Sequence, residues 1–207
     1  MGNVLGAIGV VLGLLVAPMV STAPVVRPIK KEALLVGDSV MSILLHTDTA
    51  LTLLEKEHPF LLRSVPCQRL IFEGCKPIAK DSSLKILQMN KGKFSNVVVV
   101  STGYNDLDDA NFARAVREIT SEAKLQGVQV LWLTYRQAGN VRMKSVSYNR
   151  QLFALAKKID NLHILRWCDI NNGHPEWFTA DSVHMNSTGG LALAKAISAA
   201  IGQLTTT

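Results

Sequence analysis

Asn96-Val97-Val98-Val99-Val100, followed by Ser101-Thr102-Gly103-Tyr104-Asn105-Asp106, is the stretch that decides the fold. An unbroken β-branched run fits a strand covered on both faces, the usual setting of a parallel sheet. Strand-like and helix-like segments alternate on either side of it. Ala33-Leu34-Leu35-Val36 is a buried strand ending at Gly37, and residues 40–57 follow with helical spacing through Val40, Ile43, Leu44, Leu51 and Leu54. Arg69-Leu70-Ile71-Phe72 reads as the second strand, and Ser82 to Asn90 as a short helix. Beyond the valine run, Asp108 or Asp109 caps a helix that continues through Leu125 and stops at Gly127. Val128 to Leu133 is the fourth strand. Residues 144–158 form a helix with Val146, Leu152, Leu155 and Ile159 on its apolar face, and Leu162 to Leu165 is the fifth strand. The last helix runs from about Thr188 to Ile201, with Leu191, Leu193, Ala194 and Ile197 turned inward. This alternation predicts an α/β domain: a parallel sheet with helices on both faces, whose functional sites lie beyond the C-terminal strand ends.

The chain has 207 residues, 48% of them hydrophobic, enough for one domain with a substantial core. Its net charge is +6, and residues 1–26 carry no Asp, Glu, Lys or Arg, so the excess belongs to residues 27–207. A basic domain favours anionic partners such as envelope polymers, acidic lipids or nucleic acid. The scattered cations, without a basic helix, zinc-ligand spacing or RNA-binding aromatic signature, argue against nucleic acid. Val4 to Val20 is almost wholly apolar, and Ser21-Thr22-Ala23 has the small residues of a cleavage site. Residues 1–26 therefore read as a signal peptide or membrane anchor. That makes the protein secreted or envelope-associated, with membrane contact only through this segment if it is uncleaved. Cys67 and Cys75 could form a local disulfide suited to an oxidising compartment, leaving Cys168 over; three free thiols is the alternative. No Cys/His grouping calls for a metal.

Two more motifs accompany the one after the valine run: Val36-Gly37-Asp38-Ser39-Val40 and Asp181-Ser182-Val183-His184. A serine hydroxyl becomes a useful nucleophile only beside a base. Ser39 follows a strand and is the nucleophile candidate, although alone it would read as a helix cap. His184 is the candidate general base, with Asp181 three residues earlier to hold its tautomer. Asn105 would donate its side-chain amide to an oxyanion, joined by the Ser39 N–H. His46, His58 and His163 read as structural, and His174 as a lesser site candidate. Trp132, Trp167 and Trp177 could line a sugar groove or simply pack. Asn186-Ser187-Thr188 matches a glycosylation acceptor, but at a helix start it reads as a cap.

These three motifs, in this order, resemble the SGNH (GDSL-type) hydrolase family. Gly37-Asp38-Ser39 matches its first block, Gly103-Tyr104-Asn105-Asp106 its third and Asp181-Ser182-Val183-His184 its fifth. The resemblance implies a three-layer α/β/α sandwich of flavodoxin-like type around a five-stranded parallel sheet. It also implies serine esterase, lipase or acyltransferase chemistry with no metal or cofactor. It makes Ser39, Asp181 and His184 a catalytic triad and Asn105 an oxyanion donor. The family's second block supplies a glycine N–H to the oxyanion hole; Gly74 in Phe72-Glu73-Gly74-Cys75 is the candidate, in a poorly matching context. The Cys67…Cys75 spacing and Trp177-Phe178 resemble a secreted actinobacterial subgroup in which the cysteine pair would pin the second-block loop. Gly37-Asp38-Ser39-Val40-Met41 also resembles the start of SGNH domains in peptidoglycan O-acetyltransferases. The expected function is a monomeric serine esterase cleaving short-acyl esters of envelope carbohydrate or lipid. An O-acyltransferase and a non-catalytic envelope-binding module are the alternatives. A nucleotide-binding flavodoxin-like protein is disfavoured, because the chain lacks a Gly-rich phosphate loop.

Overall fold

The computed structural model describes residues 1–2, 31–107 and 109–205; the leader assigned to residues 1–26 and the Asp108 cap lie outside them, apart from Met1 and Gly2. Five strands form one parallel sheet: β1 (Lys31–Gly37), β2 (Phe60–Ser64), β3 (Phe94–Ser101), β4 (Gln129–Leu133) and β5 (Leu162–Leu165). Their spatial order is β2-β1-β3-β4-β5. The chain steps outward from β1 to β2, then returns to the other side of β1 for β3. That reversal makes the β1/β3 boundary the topological switch point, where open α/β sheets place their sites.

Side chains on a strand alternate between faces, and the core divides accordingly. Leu34, Val36, Val98, Val100, Val130 and Trp132 face a cluster containing Phe112, Val116, Ile119, Tyr148 and Leu152. Those residues come from α3 (Asp109–Leu125) and α4 (Arg142–Ala156), while Ile86 and Leu87 join from α2 (Ser83–Met89). Ala33, Leu35, Val97, Val99, Leu131 and Leu133 face the opposite way, onto Ala50 and Leu54 of α1 (Asp48–Glu57) and Leu193, Ala194, Ile197 and Ile201 of α6 (Ser187–Thr205). The valine run is therefore buried on both faces, as its composition predicts, and the architecture is the three-layer α/β/α sandwich. A single turn, α5 (Trp167–Ile170), follows β5.

Three local expectations are corrected. Residues 40–57 are not one helix: a 3-10 segment, Met41–His46, ends at the buried Thr47, whose φ of −135° and ψ of 87° break the spiral before α1. Thr47 O instead accepts from the N–H groups of Ala50 and Leu51. Arg69-Leu70-Ile71-Phe72 is a loop; Leu70 N–H donates to the Asp106 carboxylate, and the Arg69 and Leu70 carbonyls accept from Ser83 and Leu84 at the start of α2. With those groups satisfied, the segment has no ladder to join. The second strand is Phe60–Ser64, paired with β1 from Ala33↔Phe60 to Gly37↔Ser64. Val146 is 42% exposed on α4, whose buried positions are Ser145, Tyr148, Asn149, Leu152 and Leu155. Of the two readings of the tryptophans, packing holds: Trp132 and Trp167 are core residues, and Trp177 stacks on His174 (3.9 Å between centroids) and on Trp167 (6.2 Å).

The two burial outcomes predict a contrast. Ile197→Ala removes a wholly buried side chain and should cost about 2–5 kcal/mol in urea unfolding. Val146→Ala should stay within about 0.5 kcal/mol of wild type.

Candidate active site

Ser39 follows β1 by two residues and sits, partly exposed, just before the Met41–His46 3-10 segment, with Val40 as that segment's cap. The turn is held by its neighbour. The Asp38 carbonyl accepts from Ser42 N–H, Ser42 Oγ and, from the end of β2, Ser64 Oγ. The Asp38 carboxylate is fully buried and accepts from Val40 N–H at 3.0 Å, Gly103 N–H at 3.2 Å and Tyr104 N–H at 3.3 Å. One side chain thus ties the loop after β1 to the loop after β3. Burial pushes the Asp38 carboxyl up to about 7, against the pull of those three N–H donors.

The loop after β3 needs a glycine at its start. Gly103 has φ of +144°, and a Cβ there would run into the Tyr135 ring. Tyr135 OH in turn donates to Thr102 O at 2.6 Å. Two residues on, Asn105 Nδ2 donates to Gln68 O at 3.3 Å, while Arg69 Nε donates to Asn105 O at 3.0 Å. A carboxamide nitrogen carries two hydrogens, so one remains for an oxyanion. Asp106 turns away, into the Leu70 N–H, and burial raises its carboxyl to about 6. Lys144 Nζ closes the loop from outside through Tyr104 O and Asp106 O.

The third piece is the turn before α6. Phe178 and Met185 pair as an antiparallel bridge, Thr179 N–H donates to His184 O, and Ser182 sits at φ of +61°. Buried Phe178, Val183 and Met185 anchor it while Asp181 and His184 point outward. His184 Nε2 lies 2.9 Å from Ser39 Oγ, and His184 Nδ1 lies 2.5 Å from Asp181 Oδ2. The other carboxylate oxygen, Oδ1, accepts from Thr179 Oγ1, Val183 N–H and His184 N–H. Desolvation opposes ionisation of Asp181, but the hydrogen bonds from His184, Val183 and Thr179 outweigh it and hold the carboxyl below its usual range.

Ser39, His184 and Asp181 therefore meet in a serine–imidazole–carboxylate line, with the loop carrying Asn105 fastened beside them. Gly74 does not join them in the expected role: its N–H donates to Ala79 O at 2.9 Å and is not free for an oxyanion. Cys67 and Cys75 are bridged, and Cys168 is a free thiol. His174 stacks on Trp177 and bonds Glu176, while His58 bonds Glu32 and His163 bonds Gln129. Asn186 caps α6, its Oδ1 accepting from Gly189 N–H.

The sequence reading missed Arg136. It is nine-tenths buried just beyond β4, its N–H donating to Tyr104 OH and its Nε to Ser182 O at 2.8 Å. Nη1 donates to Asn171, and the guanidinium lies 3.5 Å over the Phe178 ring. One arginine thereby joins the Asn105 loop to the His184 turn. A lone arginine after a strand has no periodicity or spacing to mark it.

No protein-family model matches the sequence, and no curated protein does. Solved structures do. The chain is similar to the C-terminal catalytic domain of peptidoglycan O-acetyltransferase A from Streptococcus pneumoniae, with a TM-score of 0.63 and 19% identity over 86% of this chain and 96% of that one. It is similar to TesA, with a TM-score of 0.65 and 18% identity over 84% and 99% of the two chains. A GDSL-like lipase from Bacteroides thetaiotaomicron gives 0.63 and 15% over 84% and 88%. Identities this low show the fold, which is that of the SGNH hydrolases.

Asp38 gives the site a pH signature. Between about pH 4 and 7 the folded state keeps a proton that the unfolded chain releases, so this group's contribution to stability falls as pH rises. Urea titrations from pH 4 to 8 should show wild type losing stability relative to Asp38→Asn across that window, with parallel curves above it.

Proposed function

We propose that the protein is an SGNH-type serine esterase acting on short-acyl esters of an envelope carbohydrate or lipid. The observation that carries this reading is the 2.9 Å contact of Ser39 Oγ with His184 Nε2, continued at 2.5 Å from Nδ1 to Asp181. Ser39 Oγ attacks the acyl carbon while His184 takes the hydroxyl proton, and Asp181 stabilises the resulting imidazolium. The Asn105 amide and the Ser39 N–H receive the developing oxyanion, each such donor being worth roughly 3–4 kcal/mol in the transition state. His184 then returns the proton to the leaving alcohol. Water, deprotonated by the same imidazole, releases the acid and restores Ser39.

The His184 side chain is 47% exposed and that of Asp181 48%, which leaves room for an ester carried on a large polymer. The leader-like composition of residues 1–26 and the +6 charge favour an envelope substrate. Acyl transfer to a sugar hydroxyl is the second reading, supported by the likeness to the O-acetyltransferase domain. It shares the acyl-enzyme and differs only in the acceptor.

Initial rates on p-nitrophenyl acetate test the reading. Ser39→Ala and His184→Ala should fall about 10⁴-fold or to background, and Asn105→Ala about 10²–10³-fold in kcat. Equal rates for wild type and Ser39→Ala would favour a non-catalytic binding module. Acetyl esters should outpace octanoyl esters, and product analysis with an added glycan acceptor separates hydrolysis from transfer.

A further inference from the structure

Beside the Asp181–Ser182 turn lies a polar hollow of about 310 Å³, whose lining includes Arg136, Gln137, Arg142, Cys168, Asp169 and Asn172. That volume falls at the small end of ligand pockets, about 300–1,000 Å³. The hollow shares its wall with the proposed catalytic turn. Arg136 holds Ser182 O, and Gly139, at φ of +56°, packs so close to Asp181 O that a Cβ would collide with it.

Its charge is unbalanced. Arg136 is nine-tenths buried, yet its partners are neutral: Ser182 O, Asn171 O, Asn171 Oδ1 and the Phe178 ring. Its Nη2 makes no hydrogen bond to the described residues. Among those residues neither Arg136 nor Arg142 forms an ion pair. Arginine keeps its proton even when burial opposes it, so the charge stays. The carboxylate in the lining, Asp169, is already engaged by Arg166 Nε at 2.5 Å and by the Cys168 thiol at 3.2 Å. The amino end of α4 opens here as well. Neither that helix nor the Gly139–Val141 turn before it has a side-chain cap, so the positive end of the helix dipole at Arg142 is not offset by a capping side chain, although the Arg142 N–H itself bonds Gly139 O.

A buried guanidinium with a spare donor edge, a second arginine and an uncapped helix start are the parts of an anion site. We infer that this hollow binds an anionic group, a carboxylate or a phosphate, borne by the substrate alongside its ester. The inference rests on Ser39 as the nucleophile, and it narrows the substrate class to acidic envelope molecules. Bound there, the anion fixes the ester relative to the Asp181–His184 turn, so its loss appears in KM more than in kcat.

The test uses Arg142→Gln and Arg142→Glu, at a solvent-exposed position outside the catalytic line. Rates are compared on O-acetylated glucose and O-acetylated glucuronate. Wild type should prefer the glucuronate ester. Arg142→Gln should raise KM for it about tenfold with the glucose ester unchanged, and Arg142→Glu should raise it further. Equal wild-type rates on the two esters, or variants that change both alike, would overturn the inference. Should wild type cleave neither ester, p-nitrophenyl acetate rates decide about the esterase reading, and calorimetric titration of the full chain with inorganic phosphate and with glucuronate decides about the hollow. Saturable binding of either anion that Arg142→Gln weakens supports it, and the anion that binds identifies the source. Heat from neither refutes it.

Discussion

The site depends on one buried carboxylate spanning two strand ends. The backbone ladder between β1 and β3 runs to Gly37↔Ser101 and stops where the strands splay into loops. Asp38 continues the pairing with its side chain, taking N–H donors from its own loop and from Gly103 and Tyr104 across the gap. Hydrogen bonds to an ionised group are worth about 1.5–3 kcal/mol each, and here they recover only part of the cost of burying the carboxylate, whose proton is held up to about pH 7. Ser39 and Asn105 are fixed to opposite sides of that same bridge. The distance between the proposed nucleophile and the proposed oxyanion donor is therefore set by the sheet end and its buried tie.

The third loop arrives from the other direction. The Asp181–His184 turn follows the last strand by some distance in sequence and has no ladder to register it. Buried Phe178, Val183 and Met185 hold it against α6 and the sheet, and Arg136 fastens its Ser182 carbonyl while its own N–H meets Tyr104 OH. Asp38 and Arg136 thus work as a pair: one joins the first loop to the second, the other joins the second to the third. Both are buried ionisable groups met mainly by backbone groups. That places them among the costly residues a fold keeps where geometry must be exact to within a fraction of an ångström.

What could be read from the sequence follows from how local each signal is. The valine run announces a doubly covered strand because composition alone requires it. Ser39, Asp181 and His184 stand out because their motifs pack a candidate nucleophile, base and orienting acid into short spans. β2 escaped because Phe60-Leu61-Leu62-Arg63-Ser64 is a half-buried edge strand, while the more strand-like Arg69–Phe72 finds its hydrogen bonds in Asp106 and α2. Gly74 failed as a donor through a contact with Ala79 that spacing does not reveal. Val146 was misplaced because polar Ser145 and Asn149 take inward positions on α4, with Asn149 bonding the backbone of Tyr135. Arg136 acts through partners 32 to 46 residues away and leaves no local trace.

The most direct test of this account is whether Ser39 alone, among the serines, is an activated nucleophile. Treating the protein with a fluorophosphonate and mapping the adduct by peptide mass spectrometry reads this without knowledge of the natural substrate. The account predicts one adduct, on Ser39, whose formation slows to near background in His184→Ala while that variant unfolds at an unchanged urea midpoint. A protein that stays unlabelled, or one labelled at another residue with Ser39 untouched, would contradict it.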